Sequence, residues 1–256
     1  MIQHAHLSQD LSEQELHFYS RQLLLDEWDF ESQQKLKNSR VLIVGAGGIG
    51  CTAALLLARS GVGTISIIDP DIIEISNLQR QMGFQLTDVG QAKSTILAHQ
   101  MKQINPYIQV NAFVEKLDVD NADELISHHD LVLDGCDQFA TRYLVNETCV
   151  QHQVPLISAS AIGLTGQMLM VAQNSACYAC LFPKDHANDE ELRCADSGVL
   201  STTPNVIASL QAHHALLYLG LGLTPLLGKF LVWNAQSMQQ RILKFEKEPD
   251  CPCCQT

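Results

Sequence analysis

Four groups of residues in this chain of 256 have the types and spacing for chemistry. The first is Gly45-Ala46-Gly47-Gly48-Ile49-Gly50, directly after the apolar run Val41–Val44. Glycines there let backbone N–H groups approach a phosphate at a helix N-terminus, where the dipole favours negative charge. Asp69 lies 21 residues beyond Gly48 and suits a carboxylate that accepts from ribose hydroxyls. The glycines alone do not separate ATP from a dinucleotide. The second group does. Arg80, within Ser76-Asn77-Leu78-Gln79-Arg80-Gln81, and Lys93, after Gly90-Gln91-Ala92, place two cations downstream of the loop. A triphosphate needs such cations to offset its charge and stabilise departing pyrophosphate, and an NAD-dependent oxidoreductase does not. Apart from the loop, either residue reads as a solvated surface charge.

The third group is Leu133-Asp134-Gly135-Cys136-Asp137-Gln138. A carboxylate at a strand's carboxyl end can hold the Mg2+ that accompanies ATP. Asp134, nearer the strand, reads as structural, and Asp137 is the better metal candidate. The fourth group pairs Cys177 and Cys180 with Cys251 and Cys254. Two CxxC hooks supply four thiolates for one tetrahedral Zn2+, closed to substrate and therefore structural. It is expected to staple the C-terminal tail to the sheet edge. Cys253 competes with Cys254, although the CxxC spacing favours Cys254. A redox dithiol is the rival reading.

Other residues carry weaker signals. Cys194, beside Arg193 in a polar stretch, is read either as an exposed, activated nucleophile or as an idle thiol. Cys51, Cys136 and Cys149 read as small buried residues. Arg21 reads as a surface arginine on a helix, and the pairs His128-His129 and His213-His214 as helix-side residues.

These groups need elements to hold them. Ser12 and Glu15 have capping-box spacing, which predicts a helix through Tyr19 and Leu25. A second helix is expected over Phe30–Lys37. Strand 41–44, the glycine turn, helix 51–60 and strand 64–68 make a βαβ unit. The alternation continues with helix 92–104, strands 108–113 and 131–133, helix 140–152, and strands 154–158 and 166–172. Residues 183–201 read as a mobile loop, 206–219 as a long helix, and 230–234 and 240–245 as antiparallel edge strands. This pattern predicts a doubly wound, mostly parallel α/β sheet with an antiparallel C-terminal extension. One domain is expected over 1–256: N-terminal helices at 1–38, a nucleotide-binding half at 39–160, and a zinc-stapled half at 161–256 that includes the loop and would bind a partner.

The net charge of −12 opposes a nucleic acid partner, and it requires any ATP site to be locally basic. No basic-then-apolar leader opens the chain, and 215–223 is too short to span a bilayer. A cytoplasmic location is expected, where nine cysteines serve as ligands, core residues or catalytic groups more than as disulfides.

The ordered set Ser20-Arg21-Gln22, Gly45–Gly50, Asp69-Pro70-Asp71, Ser76–Gln81, Gly90–Lys93, Leu133–Asp137 and the two hooks resembles the bacterial E1-like adenylyltransferases, the MoeB/ThiF/HesA family. The resemblance runs from about Leu11 to Cys254. It implies a Rossmann-like adenylation domain that uses ATP to adenylate the C-terminal glycine of a small ubiquitin-like sulfur-carrier protein, of the molybdopterin type ahead of the thiamine type. It implies that Gly48 meets the nucleotide phosphates and Asp69 the ribose, with Gly45, Gly47, Gly50 and Asp71 also among the cofactor-binding residues. It implies further that Arg80 and Lys93 contact the triphosphate and that Asp137 holds Mg2+, with Asn77, Gln81 and Gln138 also binding the cofactor. It promotes Arg21 to a finger reaching the partner's site in a homodimer, and Cys194 to sulfur transfer from a separate donor. Gln138 departs from the family, which usually has Asn there. Both are amides, but with a shifted reach. A non-catalytic scaffold that binds a ubiquitin-like protein is the remaining alternative.

Overall fold

The computed structural model describes residues 10–184 and 198–255. Ser12 caps α1 (Glu13–Phe18) with the expected capping box: it accepts from Glu15 N, and the Glu15 side chain accepts from its backbone N–H. The helix expected through Leu25 breaks at Tyr19 and resumes as α2 (Ser20–Leu23). Tertiary contacts override the local pattern here. The Tyr19 side chain is buried, and its hydroxyl accepts from Asn105 Nδ2 at 2.8 Å.

The chain continues through α3 (Phe30–Asn38), β1 (Arg40–Val44), α4 (Gly48–Ser60), β2 (Thr64–Ile68), α5 (Lys93–Ile104), β3 (Gln109–Phe113), α6 (Ala122–Ser127), β4 (Leu131–Asp134) and α7 (Phe139–His152). It ends with β5 (Leu156–Ile162), β6 (Thr165–Val171), α8 (Tyr178–Leu181), α9 (Thr202–Leu221), β7 (Lys229–Asn234) and β8 (Gln239–Lys244). The strands form one sheet in the order β3-β2-β1-β4-β5-β6-β7-β8. β3 to β5 are parallel, and every pairing from β5 to β8 is antiparallel.

β1 shows why both faces of this sheet must be covered. Val41 and Ile43 belong to the core beneath α4, α5 and α9, whereas Leu42 and Val44 belong to the core beneath α7. An apolar residue at every position, with side chains alternating by face, is a strand buried on both sides.

Three expectations are corrected. The short helices α6 and α8 were not foreseen. β5 begins two residues late, because the Val154 N–H closes the end of α7 on the Cys149 carbonyl at 2.9 Å. β7 is an interior strand between β6 and β8, so β8 alone is the edge at that end. Among the described residues no helix is long and apolar enough to cross a membrane.

Candidate active site

The carboxyl ends of β1, β2 and β4 open onto a cleft of about 510 Å³. This is where an α/β sheet of this winding holds its ligand. β1 runs into Gly45, whose φ of +92° is a left-handed conformation that favours glycine. A Cβ on Gly50 would lie 1.8 Å from the Gly45 carbonyl oxygen, so Gly50 serves the tightness of the turn and does not line the cleft. α4 begins at Gly48 with no side-chain cap. Its first N–H groups therefore lack intrahelical partners beside Gly47 and Gly48, which do line the cleft.

Asp69 closes the loop from the β2 end. Its Oδ2 accepts from Ala46 N at 2.6 Å, and its Oδ1 accepts from Asp71 N at 2.8 Å. Burial pushes its carboxyl above the ordinary range. Lys93, the first residue of α5, is buried and donates to Asp71 Oδ2 at 2.7 Å. Asn77 accepts from Glu74 N at 3.0 Å, which closes the turn that carries Arg80. Arg80 Nη1 donates back to the Ser76 carbonyl at 3.0 Å. Gln81 is buried at the cleft wall, and its Oε1 has no hydrogen-bond partner.

At the end of β4, Asp134 is buried and accepts from Cys136 N at 3.0 Å and Ser158 Oγ at 2.6 Å. Asp137 and Gln138 are exposed and line the cleft. Cys136, expected in the core, is only partly buried and also lines it.

The cleft thus brings together Gly45, Gly47, Gly48, Asp69, Asp71, Asn77, Arg80, Gln81, Lys93, Asp137 and Gln138. It does not include Arg21, which is exposed on α2, outside the lining. Cys194 lies outside the described residues.

Two further cations, unmarked by any motif in the sequence, stand in the lining. Lys116 follows β3 and is exposed. Arg142 is 4% exposed and donates to the Cys136 carbonyl through Nε at 3.2 Å and through Nη2 at 2.6 Å. Burial opposes its charge, but the Asp134 carboxylate outweighs this and holds its pKa above the ordinary value. A lone charge in the helix opening Phe139-Ala140-Thr141-Arg142 was the available signal. Arg80, Lys93, Lys116 and Arg142 stand against Asp69, Asp71, Glu74 and Asp137, so the lining is balanced where the whole chain carries −12.

The thiols of Cys177, Cys180, Cys251 and Cys254 are buried, and all four sulfurs lie within 4.8 Å of one another. Sγ separations of 3.4, 3.6 and 3.9 Å are close to the tetrahedral edge of about 3.8 Å that follows from a Zn–S bond of ~2.3 Å. The donor set fits Zn2+. Cys253 lies outside that group of four but beside it: its thiol is within hydrogen-bonding reach of Cys177, and it accepts from Asn146 Nδ2 at 3.2 Å. The hooks pack into the α7 face of the sheet rather than onto its edge, which corrects the expected location of the staple.

The family model described as "ThiF family" matches residues 19–253. The sulfur carrier protein ThiS adenylyltransferase of Escherichia coli is 38% identical, with 92% of this chain aligned to 94% of that protein. The molybdopterin-synthase adenylyltransferase of Salmonella typhimurium is also 38% identical, with 96% of this chain aligned to 98% of it. The adenylyltransferase and sulfurtransferase MOCS3-1 of Zea mays is 41% identical over 92% of this chain, which spans about half the length of that relative, 51%. Among solved structures, E. coli MccB crystallised with ATP superposes with a TM-score of 0.80 at 27% identity, over 93% of this chain and 73% of that one. A family match over almost the whole chain, on a sheet whose cleft gathers the phosphate loop and its cations, leads to one assignment: the chain belongs to the ThiF family.

Proposed function

We propose that this chain uses ATP to adenylate the C-terminal glycine carboxylate of a small ubiquitin-like sulfur-carrier protein. The observation that carries the reading is the joining, in one cleft, of a glycine loop at the bare N-terminus of α4, Arg80, Lys93 and the exposed Asp137. The carrier's carboxylate oxygen attacks the α-phosphorus of ATP. A carboxylate–phosphorus bond forms, the bond to the bridging oxygen breaks, and pyrophosphate leaves with that electron pair. The nucleophile is already ionised, so no general base is needed. Rate enhancement comes from positioning and from charge stabilisation of the leaving group.

The residues divide this work. The N–H groups at Gly47 and Gly48 cradle phosphate oxygens, and Asp69 accepts from the ribose. Lys93 is held ready by Asp71, and Arg80 exchanges the Ser76 carbonyl for phosphate. Asp137, with Gln138 beside it, would hold Mg2+, whose charge offsets that of the triphosphate. The four hook thiolates would hold one structural Zn2+. A homodimer would bring Arg21 to the partner's cleft, and a separate donor would supply the sulfur that displaces AMP, with Cys194 in that later step.

The molybdopterin and thiamine relatives match at the same 38% identity, so neither carrier is favoured by similarity. ATP–pyrophosphate exchange with purified carriers of both types tests the reading. Exchange that depends on one carrier's intact terminal glycine is expected. Exchange with neither, together with a melting temperature raised by NAD and not by ATP, would overturn it.

A further inference from the structure

Arg80 has to meet the phosphates at a defined place, yet it sits on a turn between β2 and α5 whose own bonds are local. Arg80 N donates to Asn77 O at 3.1 Å, and its guanidinium donates to Ser76 O at 3.0 Å. Three residues beyond Arg80 its segment is tied to α4, where Gly83 N donates to Cys51 Sγ at 3.0 Å. The tie at Arg80 itself comes from Asn205, 125 residues away in the first turn of α9.

Asn205 uses both ends of its amide. Nδ2 donates to the Arg80 carbonyl at 3.2 Å and to the Ser201 carbonyl, one helical turn back, at 2.7 Å. Oδ1 accepts from Thr52 Oγ1 on α4, the helix that starts at the phosphate loop. Asn205 is not among the residues lining the cleft, so it acts without touching a nucleotide. Its surroundings are tightly fitted. A Cβ on Gly48 would lie 3.2 Å from Pro204 Cβ and 3.6 Å from Arg80 Cγ, so the first turn of α9, the phosphate loop and the Arg80 stem pack against one another. The first turn of α9 is itself anchored, because Thr203 Oγ1 donates to the Gly163 carbonyl at 3.2 Å.

We infer that Asn205 is a positioning residue for Arg80, tying its turn to α4 and to the start of α9 so that the guanidinium is aligned with the phosphate loop. A single Asn is suited to this, since it supplies two donors and an acceptor in a fixed plane. Asp cannot replace it, because a carboxylate in that plane would face two carbonyl oxygens. The inference rests on the cleft binding ATP as read above.

The test is ATP affinity by calorimetry on the full chain without carrier, with melting temperature as a second readout. Asn205→Ala and Asn205→Asp are each expected to weaken ATP binding about five- to tenfold. In an Arg80→Ala background, Asn205→Ala is expected to add almost nothing, because the group it positions is gone. An equal loss in both backgrounds, or a lowered melting temperature with unchanged affinity, would assign Asn205 to packing alone and overturn the inference. Thr52→Val, which breaks the tie from the α4 side, carries the same cycle if the Asn205 variants do not fold. Wild-type protein that binds no ATP would instead sink the reading of the cleft itself.

Discussion

Asp69 joins two things that nucleotide binding needs together, the glycine loop and the end of β2, by accepting one backbone N–H from each side. Asp69→Asn keeps the shape but turns an NH2 group toward one of those N–H donors. This leaves a buried donor unsatisfied and is expected to lower stability by about 1–3 kcal/mol. Denaturant melts and ATP affinity should fall together, and an unchanged midpoint would show that the loop does not depend on this carboxylate. The exposed charges behave differently. Arg80 and Asp137 are at least partly exposed, so their loss should spare the fold. Each alanine variant is expected to lower ATP–pyrophosphate exchange roughly 10²–10³-fold or beyond detection, as removal of one preorganised charge from a reacting centre does. Cys194→Ala should exchange nearly as wild type, because in the proposed reaction sulfur transfer would come after adenylation. Exchange lost in the Cys194 variant would move that thiol into the first step.

Elements carry the next set of effects. α1 is fixed to α3 by Glu15 and Lys37, 2.8 Å apart with side chains 5% and 12% exposed. Burial alone would raise the Glu15 carboxyl, but the hydrogen bonds from Lys37 and Ser12 outweigh it and hold it below the ordinary range. A depressed carboxyl contributes stability above its unfolded pKa, near 4.3, and that contribution is lost as pH falls through the lower folded value. Glu15→Gln is therefore expected to cost about 3 kcal/mol at pH 7. It should also flatten the loss of melting temperature between roughly pH 5 and pH 3. Parallel pH profiles for the two proteins would remove this pair from the account of acid unfolding. The same region shows what sequence can convey. Ser12 and Glu15 announced the cap because its geometry is local, and 41–44 announced β1 because burial on both faces forces a run of apolar residues. The break at Tyr19 was not legible, since it depends on Asn105, 86 residues away. Gly45 to Gly50, Lys93 and Asp137 could be placed near one cleft because each stands at the end of a recognisable element, and Arg80 because it is a cation in the connection between two of them. Arg142 and Asn205 could not. One acts by folding back from α7 onto the end of β4, the other by reaching from α9 to a turn far earlier in the chain.

At the scale of the whole molecule, the four hook sulfurs join segments separated by 74 residues. They hold the C-terminal tail against α7 and the antiparallel half of the sheet, where Cys177, Cys180, Cys251 and Cys254 share a core with Tyr143, Tyr178 and Leu169. Zn2+ held there would stabilise the folded chain by mass action, since the unfolded chain does not hold the four thiolates together. Metal analysis is expected to find one zinc per chain. Chelation is expected to lower the melting temperature by roughly 6–20 °C, the shift that about 3–5 kcal/mol produces in a chain of this size. The choice between neighbouring thiols follows from geometry. Cys254 Sγ lies 3.4 Å from Cys180 Sγ, whereas Cys253 accepts from Asn146, whose Oδ1 in turn accepts from Tyr178 N at 2.8 Å. Cys254→Ser should therefore lose the metal and melt like the chelated protein. Cys253→Ser should keep one zinc per chain and alter only the weak hydrogen bonds its sulfur makes with Asn146 and Cys177. Zinc retained in the first variant and lost in the second would reverse the ligand assignment, and well-folded protein without zinc in the wild type would remove the staple.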